Sequence, residues 1–295
     1  MYGSYQTNLF PGAATYTSPI EVPKGTNDLQ PFISIQYNSQ SVKQRPSILG
    51  AGWSLTQDYI MRFVNGSPEN TSNDFFKLSF MGSSYDLVYD TSDGFYHTKT
   101  ETFLRIQNLS GISNTYGTYW QVTTKDGTQF RFGFTNNSEL TSNSGYNYAV
   151  RWSLDLVTDT YGNTINYTYN EDPNSEDKGS VYLSNITYNR DGKRKVSFNY
   201  ETNARPDRWR VYEQGNLLEE SRRLASINIT YDKIPVRSYK FEYTKLSEGL
   251  TSLYRISYLG SNSGILHNVS FDYYSSSPGY KRFIDSWVAQ IFIQI

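Results

Sequence analysis

Histidine is scarce in this 295-residue sequence, and cysteine is absent. The two histidines, His97 and His267, lie far apart along the chain, and two imidazoles without a thiolate make a poor ligand set for a transition metal. The lack of cysteine excludes disulfides, thiolate nucleophiles and cysteine zinc sites. Because His97 follows Tyr96 and precedes a threonine- and lysine-rich stretch, we expect an exposed strand residue there. The sequence predicts no metal site.

Acidic side chains gather in the stretch 170–179, where they could offer oxygen ligands to a hard cation. The ligand-type residues are Glu171, Asp172, Asn174, Glu176 and Asp177. A calcium loop of the EF-hand type needs glycine at its sixth position and glutamate at its twelfth. Those positions are occupied here by Asp177 and Leu183, so we expect a solvated acidic loop.

The remaining polar residues form no recognisable catalytic set. Basic residues surround the pair Asp191-Gly192, and a solvated hairpin tip explains them better than a phosphate site does. They are Arg190, Lys193, Arg194 and Lys195. Carboxylates paired for glycoside hydrolysis need a defined separation that a sequence does not show. The sequence therefore predicts a protein that is not an enzyme, with no catalytic residue and no cofactor.

The composition suits sheets with one hydrated face. Apolar residues make up 37% of the chain, yet aromatic residues reach 16%, with 27 tyrosines. A tyrosine ring packs half-buried while its hydroxyl stays in water. The net charge of −1 gives no electrostatic reason to expect nucleic acid as a partner. No apolar run approaches the roughly 20 residues that span a bilayer, and the first residues lack the pattern of a secretory signal peptide.

Alternation of apolar and polar residues recurs along the chain and predicts antiparallel strands buried on one face. The clearest examples are 33–37, 165–169, 196–200, 227–231, 239–243 and 269–273. The side chains expected on the covered face are Val196, Phe198, Tyr200, Ile227, Ile229 and Tyr231. Ser226, Asn228 and Thr230 should then lie on the hydrated face. No stretch shows a sustained helical stripe, so the predicted fold class is all-β.

Turn residues divide the predicted strands into hairpins. Three pairs stand between alternating segments: Asp126-Gly127, Gly162-Asn163 and Asp191-Gly192. Glycine, asparagine and aspartate tolerate the positive φ that tight turns require. We expect loops at 65–73 and 136–145, and a loop or strand end at 215–224, the best helical candidate. Consecutive hairpins of this kind indicate a meander.

An ordered set of glycines, prolines and aromatic residues runs from residue 12 to 41 and continues as Leu-Gly-Ala-Gly-Trp-Ser-Leu at 49–55. Its members are Gly12, Pro19, Pro23, Gly25, Pro31, Tyr37, Asn38, Gly50, Gly52 and Trp53. In this order they resemble the opening of the SpvB-type N-terminal domain, which begins the B component of bacterial Tc toxin complexes and related virulence proteins. Read from the residues alone, Gly50 and Gly52 indicate a sharp bend with the Trp53 indole packed over it.

Further matches extend the resemblance over nearly the whole chain. The hairpin at Asp126-Gly127 looks like a hairpin of the same family, and Arg205-Pro206-Asp207 also fits. The triplet Tyr161, Gly162 and Asn163 is similar to the YD-repeat hairpin of RHS proteins. The resemblance implies consecutive antiparallel hairpins that form an extended, curved RHS/YD-like sheet.

The same resemblance implies two regions: an SpvB-type signature region, 1–143, and a YD/RHS-like hairpin region, 144–295. The second is expected to continue the first as one structural unit, truncated at its C-terminus. The apolar run 287–295 is expected to be a strand, covered on both faces, whose partner lies outside this chain.

The resemblance implies a non-catalytic structural part of a secreted toxin-complex or RHS-type shell that encapsulates a C-terminal toxin and helps to deliver it. The implied partners are other parts of its own longer chain and TcA-like and TcC-like subunits. Export would not depend on a signal peptide and would lead from the cytoplasm to the extracellular space. The Glu-x-Glu pair of the ADP-ribosyltransferase in some relatives is missing, and Asp172-Pro173 lacks the surroundings of the RHS self-cleavage junction.

A second class of function remains open from the residues alone. Exposed aromatic side chains, with Trp120, Trp152, Trp209 and many of the tyrosines as the candidates, would also suit an extracellular adhesin or a carbohydrate-binding surface β-domain.

Overall fold

The computed structural model describes residues 3–8, 12–246, 249–273 and 291–294, of which residue 8 and the last four are described by their backbone alone. These residues form strands almost throughout, which confirms the predicted all-β class. Helix is limited, among them, to three single turns of 3-10 helix: Thr26–Asp28, Ser39–Ser41 and Asn136–Ser138. No helix in this part of the chain has the length and apolar character that crossing a membrane requires.

Four antiparallel strands make up an N-terminal sheet in sequence order. They are β1 (Ser4–Asn8), β2 (Ala13–Pro19), β3 (Ser34–Asn38) and β4 (Trp53–Leu55). Alternation on β2 and β3 buries Tyr16, Ile35 and Tyr37 on one face. Four of the ten residues of the ordered N-terminal set lie on this sheet: Pro19, Tyr37, Asn38 and Trp53.

The next strands form a closed sheet. They are β5 (Tyr59–Phe63), β6 (Phe75–Phe80), β7 (Ser83–Asp90), β8 (Phe95–Thr98), β9 (Arg105–Ser110), β10 (Thr118–Thr123), β11 (Gln129–Phe132), β12 (Glu139–Thr141) and β13 (Ala149–Thr158). Strands β5 to β11 form a series in which each strand pairs with its neighbours. Strand β13 closes the series because it pairs with both β11 and β5. Phe132 lies opposite Leu154 on one side of β13, and Ile60 lies opposite Trp152 on the other.

Strand β13 belongs to two sheets at once. Its first half pairs with β5 and β12, whereas its second half pairs with β11 and β14. The strands that follow are β14 (Thr164–Glu171), β15 (Val181–Tyr188), β16 (Arg194–Tyr200), β17 (Trp209–Glu213), β18 (Asn216–Glu220), β19 (Leu224–Tyr231), β20 (Ile234–Lys245), β21 (Thr251–Leu259), β22 (Ile265–Tyr273) and β23 (Ile291–Gln294). All but β17 and β18 pair in order, β16 with β19, and this antiparallel series is called the main sheet below.

A single apolar core joins the three sheets. It contains Ile35 of the N-terminal sheet, Ile60 and Trp120 of the closed sheet, and Val196 and Ile256 of the main sheet, all buried. The hairpin β17–β18 lies outside the main sheet and forms its own two-stranded unit. The N-terminal sheet is thus packed onto the main sheet by shared apolar burial, which is the dominant favourable term in folding.

The predicted hairpins are confirmed. Asp126-Gly127 connects β10 to β11, Gly162-Asn163 connects β13 to β14, and Asp191-Gly192 connects β15 to β16. The predicted loop at 136–145 is wrong in part, because three of its residues form β12 against the first half of β13. So short a strand carries no alternation that a sequence pattern could reveal.

The covered face of the main sheet is confirmed at four of six positions. Val196, Phe198, Ile227 and Ile229 are at most 5% exposed. Asn228 is exposed, and Ser226 and Thr230 are partly exposed, as expected for the opposite face.

The two other positions on that face are tyrosines with different outcomes. Tyr200 is half-buried. Tyr231 is 41% exposed, so its predicted burial is wrong. It ends β19 beside the turn residues Asp232 and Lys233, where the sheet stops covering it, and its ring lies under the Arg194 guanidinium at 5.1 Å.

The last described strand has a partner within the chain. Strand β23 pairs antiparallel with β22, with Ile291 opposite Tyr273. The expectation of a partner outside this chain is therefore wrong for 291–294. The rest of the run, 287–290 and 295, lies outside the described residues.

Candidate functional site: the N-terminal segment on the main sheet

The bend at Gly50 brings two backbones into contact. Gly50 has a φ of +90°, and a Cβ on it would lie 2.6 Å from the carbonyl oxygen of Thr251 and 2.7 Å from the Cα of Ser252. The neighbouring Ala51 N–H donates to the Thr251 carbonyl at 2.7 Å, and the Ser252 hydroxyl donates to the Ala51 carbonyl at 2.9 Å. Only glycine allows both this conformation and this approach.

Trp53 is a core residue, as predicted. It is 3% exposed, and its ring packs against Tyr37 at 5.1 Å and Phe271 at 4.7 Å. Its Nε1 donates to the Tyr273 hydroxyl at 2.7 Å. Gly52 (φ +78°) leaves room for the Tyr37 ring, since a Cβ there would come within 2.6 Å of that ring. The indole therefore connects the N-terminal sheet to β22.

Residues 18–28, called the docking segment here, lie across several strands of the main sheet. Tyrosine hydroxyls from three of these strands bond to it. The Tyr258 hydroxyl shares a hydrogen bond with the Ser18 hydroxyl at 2.8 Å, and the Tyr239 hydroxyl accepts from the Glu21 N–H at 2.9 Å. The Tyr188 hydroxyl donates to the Pro23 carbonyl at 2.6 Å. This arrangement accounts for part of the large tyrosine content: the rings pack in the core while the hydroxyls hold a polar backbone.

The end of the docking segment contacts hairpin tips. The Thr26 N–H donates to the Asn189 Oδ1 at 2.7 Å, and the Asn27 side chain donates to Asp159 at 3.4 Å. A Cβ on Gly25 would lie 1.8 Å from the Leu29 carbonyl oxygen, so the tight turn here needs glycine.

The remaining residues of the ordered N-terminal set have structural roles in strands, turns and the core. Gly12 (φ +67°) precedes β2, Pro19 ends that strand, and Pro31 is buried. The Asn38 side chain accepts from the Gln40 N–H at 2.9 Å and caps a 3-10 turn.

The hairpin signature residues stabilise their own turns. The Asp126 carboxylate accepts from the hydroxyls of Thr124 and Thr128, and these hydrogen bonds lower its pKa. Gly127 has the positive φ that the turn needs.

In the YD-like turn, Asn163 donates to the Asp159 carboxylate at 2.7 Å, and Gly162 has a φ of +79°. Tyr161 is 76% exposed and Gly162 is exposed as well, whereas Asn163 is buried.

A buried arginine network lies beneath the Gly50 bend, and no sequence pattern predicts it as a site. The Arg205 guanidinium is fully buried; it donates to Asp207 at 2.8 and 3.2 Å and to Glu220 at 2.9 Å. It also donates to the Ser47 carbonyl at 2.7 Å. Asp207 in turn accepts from the Thr251 N–H at 2.6 Å. The sequence contains two members of this network in Arg205-Pro206-Asp207, but by itself this triplet indicates only the resemblance to the family.

This network has unusual protonation. Burial by itself raises the pKa of Asp207, but hydrogen bonds from Arg205 and Thr251 outweigh burial and leave the pKa lowered. Burial raises the pKa of Glu220 to about 8, although Arg205 partly opposes that shift. Arg205 therefore pairs with an ionised Asp207, while Glu220 holds its proton near neutral pH.

The predicted solvated acidic loop at 170–179 is wrong for Asp177. This residue is fully buried, and its carboxylate accepts from the Tyr182 hydroxyl at 2.9 Å and the Ser221 N–H at 2.6 Å. The Asn174 side chain donates to it as well, at 2.5 Å. Asp177 therefore joins the loop to the β17–β18 hairpin. Sequence patterns do not reveal this burial, because the partners of Asp177 come from distant positions.

One cluster of metal-ligand type occurs among the described residues: Asp90, Asp93 and His97, with ligand atoms within 4.8 Å of one another. His97 lies on β8, partly exposed, and bonds to Asp93 at 2.9 Å. All three lie at the surface of one hairpin, and nothing else points to an ion there.

The basic side chains around Asp191-Gly192 also lie at a hairpin tip, where Lys193 pairs with Asp232 at 3.1 Å.

The tryptophans named for a carbohydrate surface are mostly not available. Trp120 and Trp152 are at most 1% exposed and pack edge to face, with ring centroids 5.9 Å apart, within the closed sheet. Trp209 is half-buried; its Nε1 donates to the Pro46 carbonyl at 2.9 Å and Arg45 covers its ring. The expectation of exposed tryptophans is wrong for Trp120 and Trp152, because the pairing of β13 with β5 closes the sheet around them.

Asp58 is a half-buried carboxylate whose pKa burial raises to about 6, with one partly offsetting hydrogen bond from the Met81 N–H at 2.9 Å. The folded-state pKa exceeds the ordinary aspartate pKa of 3.8, so the folded state binds more protons than the unfolded state between these two values, and stability falls as pH rises through this range. Near pH 4 we expect Asp58→Asn and the native chain to unfold at similar urea concentrations. Near pH 8 we expect Asp58→Asn to be more stable than the native chain by roughly 1–2 kcal/mol.

Urea unfolding at both pH values measures this effect. The exposed carboxylate of Asp86, paired with Lys77 at 3.0 Å, provides the matched control Asp86→Asn, which should change stability little at either pH. An Asp58→Asn variant that is less stable than the native chain near pH 8 contradicts the assignment.

Comparison with known families now identifies the chain. The family model described as "SpvB: Salmonella virulence plasmid 65kDa B protein" matches residues 8–220, more than half of the sequence. The chain belongs to the SpvB family. No curated protein matches it by sequence.

Solved structures show the same fold as this SpvB-family chain. The N-terminal domain of the effector protein SpvB from Salmonella typhimurium strain LT2 has 18% identity and a TM-score of 0.66; the match covers 82% of this chain and 98% of that one. The crystal structure of TcdB2-TccC3 has 15% identity and a TM-score of 0.75, covering 94% of this chain and 17% of that one. The Tc holotoxin pore of Photorhabdus luminescens has 16% identity and a TM-score of 0.70, covering 92% and 16%. The chain thus spans about a sixth of the length of these two Tc toxin chains.

Proposed function

We propose that this SpvB-family chain is a non-catalytic structural part of a Tc-type or RHS-type toxin shell, which encapsulates a toxic polypeptide and helps to deliver it. Family membership and the fold shared with TcdB2-TccC3 support the proposal. Its strands β13 to β23 would contribute to a curved RHS/YD-like wall. Its partners would be the rest of a longer chain and TcA-like and TcC-like subunits, not nucleic acid, and it would act outside the producing cell.

The observation that carries the proposal is the different character of the two faces of the main sheet. One face is covered by the N-terminal sheet and the docking segment. The other carries a row of uncharged polar side chains that crosses five neighbouring strands: Thr168, Asn185, Ser197, Asn228 and Ser238. The row on one side of it brings one charge, Lys240, and the row on the other side brings one more, Lys195. Hydroxyls and amides remain solvated and offer an unfolded chain neither an apolar patch nor a strong charge.

Such a face suits the inside of a container, because a payload that must later leave should not adhere to the wall. Electron cryomicroscopy of the natural full-length gene product, purified with its neighbouring TcC-like polypeptide, tests this role. We expect a closed particle in which the row from Thr168 to Ser238 faces the enclosed volume. A particle with this row on its outer surface, or no closed particle, contradicts the proposal.

We also propose that the chain has no catalytic activity of its own. Purified protein should show no turnover above buffer in assays of NAD glycohydrolase, peptidase and glycosidase activity. Replacing Asp90 or Asp93 by asparagine provides a check at the one surface cluster of acid and imidazole groups among the described residues. Measurable turnover that disappears with either substitution would show that the chain is an enzyme.

A further inference from the structure

A cleft of about 500 Å³ opens where the N-terminal sheet, the closed sheet and the β17–β18 hairpin meet. Apolar side chains form much of its wall, among them Leu55, Leu140 and Val181. Serine and glutamine side chains add hydrogen-bonding groups. Of the described residues that line the cleft, Arg151 is the one basic residue, and Glu220 is the one acidic residue.

Arg151 is an arginine without a carboxylate partner. Its Nη2 donates to the Gln57 side chain at 2.9 Å, and its guanidinium lies over the Tyr59 ring at 4.0 Å. Its Nε is buried and has no hydrogen-bond partner among the residues that the structure describes. No carboxylate of the described part of the chain lies within salt-bridge distance of it, whereas two other arginines of the closed sheet, Arg62 and Arg131, pair with Asp74 and Asp155 at 3.1 and 2.7 Å.

Burying a guanidinium without a carboxylate partner destabilises the folded state. Arginine keeps its charge under all ordinary conditions, and a buried donor that lacks a partner loses the hydrogen bond it had in water. Burial lowers the pKa of Arg151, which reflects the same loss of hydration. A carboxylate in the cleft that accepts from the guanidinium group would compensate the charge for its lost hydration, since charge-assisted hydrogen bonds from arginine to a carboxylate are strong.

We infer that this cleft binds an acidic side chain of a partner polypeptide, whose carboxylate pairs with Arg151 while a neighbouring apolar side chain packs on the cleft wall. One guanidinium without a second cation matches a singly charged carboxylate better than a doubly charged phosphate. The apolar wall favours a peptide over a free carboxylate ion, because it adds burial that a small ion does not use. The inference does not depend on a role in a toxin shell.

Short peptides test the inference directly on the 295-residue protein. The probes are acetyl-Leu-Glu-Leu-amide and its matched amide, acetyl-Leu-Gln-Leu-amide, titrated by calorimetry at low salt. We expect the glutamate peptide to bind about tenfold more tightly than the glutamine peptide. This preference should disappear in Arg151→Gln and remain in the control Arg208→Gln, whose exposed side chain pairs with Glu176 at the surface.

A second measurement covers the case in which Arg151→Gln fails to fold. The Nε–H resonance of Arg151 in the native protein should shift on addition of the glutamate peptide and stay in place with the glutamine peptide. Equal affinity for the two peptides, or an unchanged Arg151 resonance, overturns the inference. Competition by sodium acetate as effective as by the glutamate peptide would reduce the site to a carboxylate-ion site and overturn the assignment to a polypeptide.

Discussion

Replacing Gly50 with alanine should remove much of the stability of the fold. The new Cβ would lie 2.6 Å from the Thr251 carbonyl oxygen, and the backbone would keep a φ of +90° that alanine rarely adopts. Both the strained conformation and the forced separation of the two backbones act against the folded state, and together they should cost roughly 3–5 kcal/mol. Since a folded domain is stable by only about 5–15 kcal/mol, urea unfolding should begin at much lower concentration.

Gly192→Ala is the matched control. Gly192 also has a positive φ, +62°, but no atom lies within 4 Å of the position that a Cβ would take. Its replacement should cost only about 1 kcal/mol, from backbone conformation alone. If both variants lose the same stability, the contact between Gly50 and β21 is not what makes glycine necessary.

Arg205→Met should have the second largest effect. Methionine fills a similar volume, but in a buried place it leaves the Asp207 carboxylate without its cation and the Glu220 carboxyl group without its hydrogen-bond donor. Breaking a buried ion pair by removing one partner typically costs about 3–5 kcal/mol. The loss should also loosen the N-terminal sheet, because Arg205 bonds to the Ser47 carbonyl and Asp207 to Thr251.

The loss caused by Arg205→Met should depend on pH. In the native chain the pKa of Asp207 is lowered, so its contribution to stability is present above the unfolded pKa and is lost as pH falls through the folded pKa. Without Arg205, only the hydrogen bonds from Thr251 still oppose burial, so the pKa of Asp207 rises and the variant loses stability relative to the native chain as pH rises. Urea unfolding should therefore show a larger difference from the native chain at pH 8 than at pH 4.

Arg208→Met is the control for this measurement. Its side chain is 63% exposed and pairs with Glu176 at the surface, where ion pairs contribute little. A pH-independent loss in Arg205→Met, or a loss as small as that of Arg208→Met, would show that the buried network does not hold the bend at Gly50 in place.

The sequence by itself determined the local structure of this protein. The turns at Asp126-Gly127 and Asp191-Gly192 depend on residues that accept positive φ, and the strands beside them depend on alternation over five residues. Both signals act between near neighbours, so they can be recognised without knowing the fold. The same holds for the burial of Val196 and Ile229.

Family membership could also be found from the sequence, because the ordered set from Gly12 to Trp53 is specific. The physical reasons for its members could not. Gly50 is needed because of Ser252, and Pro23 lies where the Tyr188 hydroxyl reaches its carbonyl; these partners are more than 150 residues away along the chain.

Only the tertiary structure decided which strands close the smaller sheet and what that closure buries. The pairing of β13 with β5 places Trp120 and Trp152 inside, although the sequence suggested surface aromatics. It also decided that Asp177 is enclosed by the β17–β18 hairpin and that Arg151 meets no carboxylate of the described residues. The burial and pairing of a charged group depend on which distant strands surround it, and no local pattern of residue types contains that information.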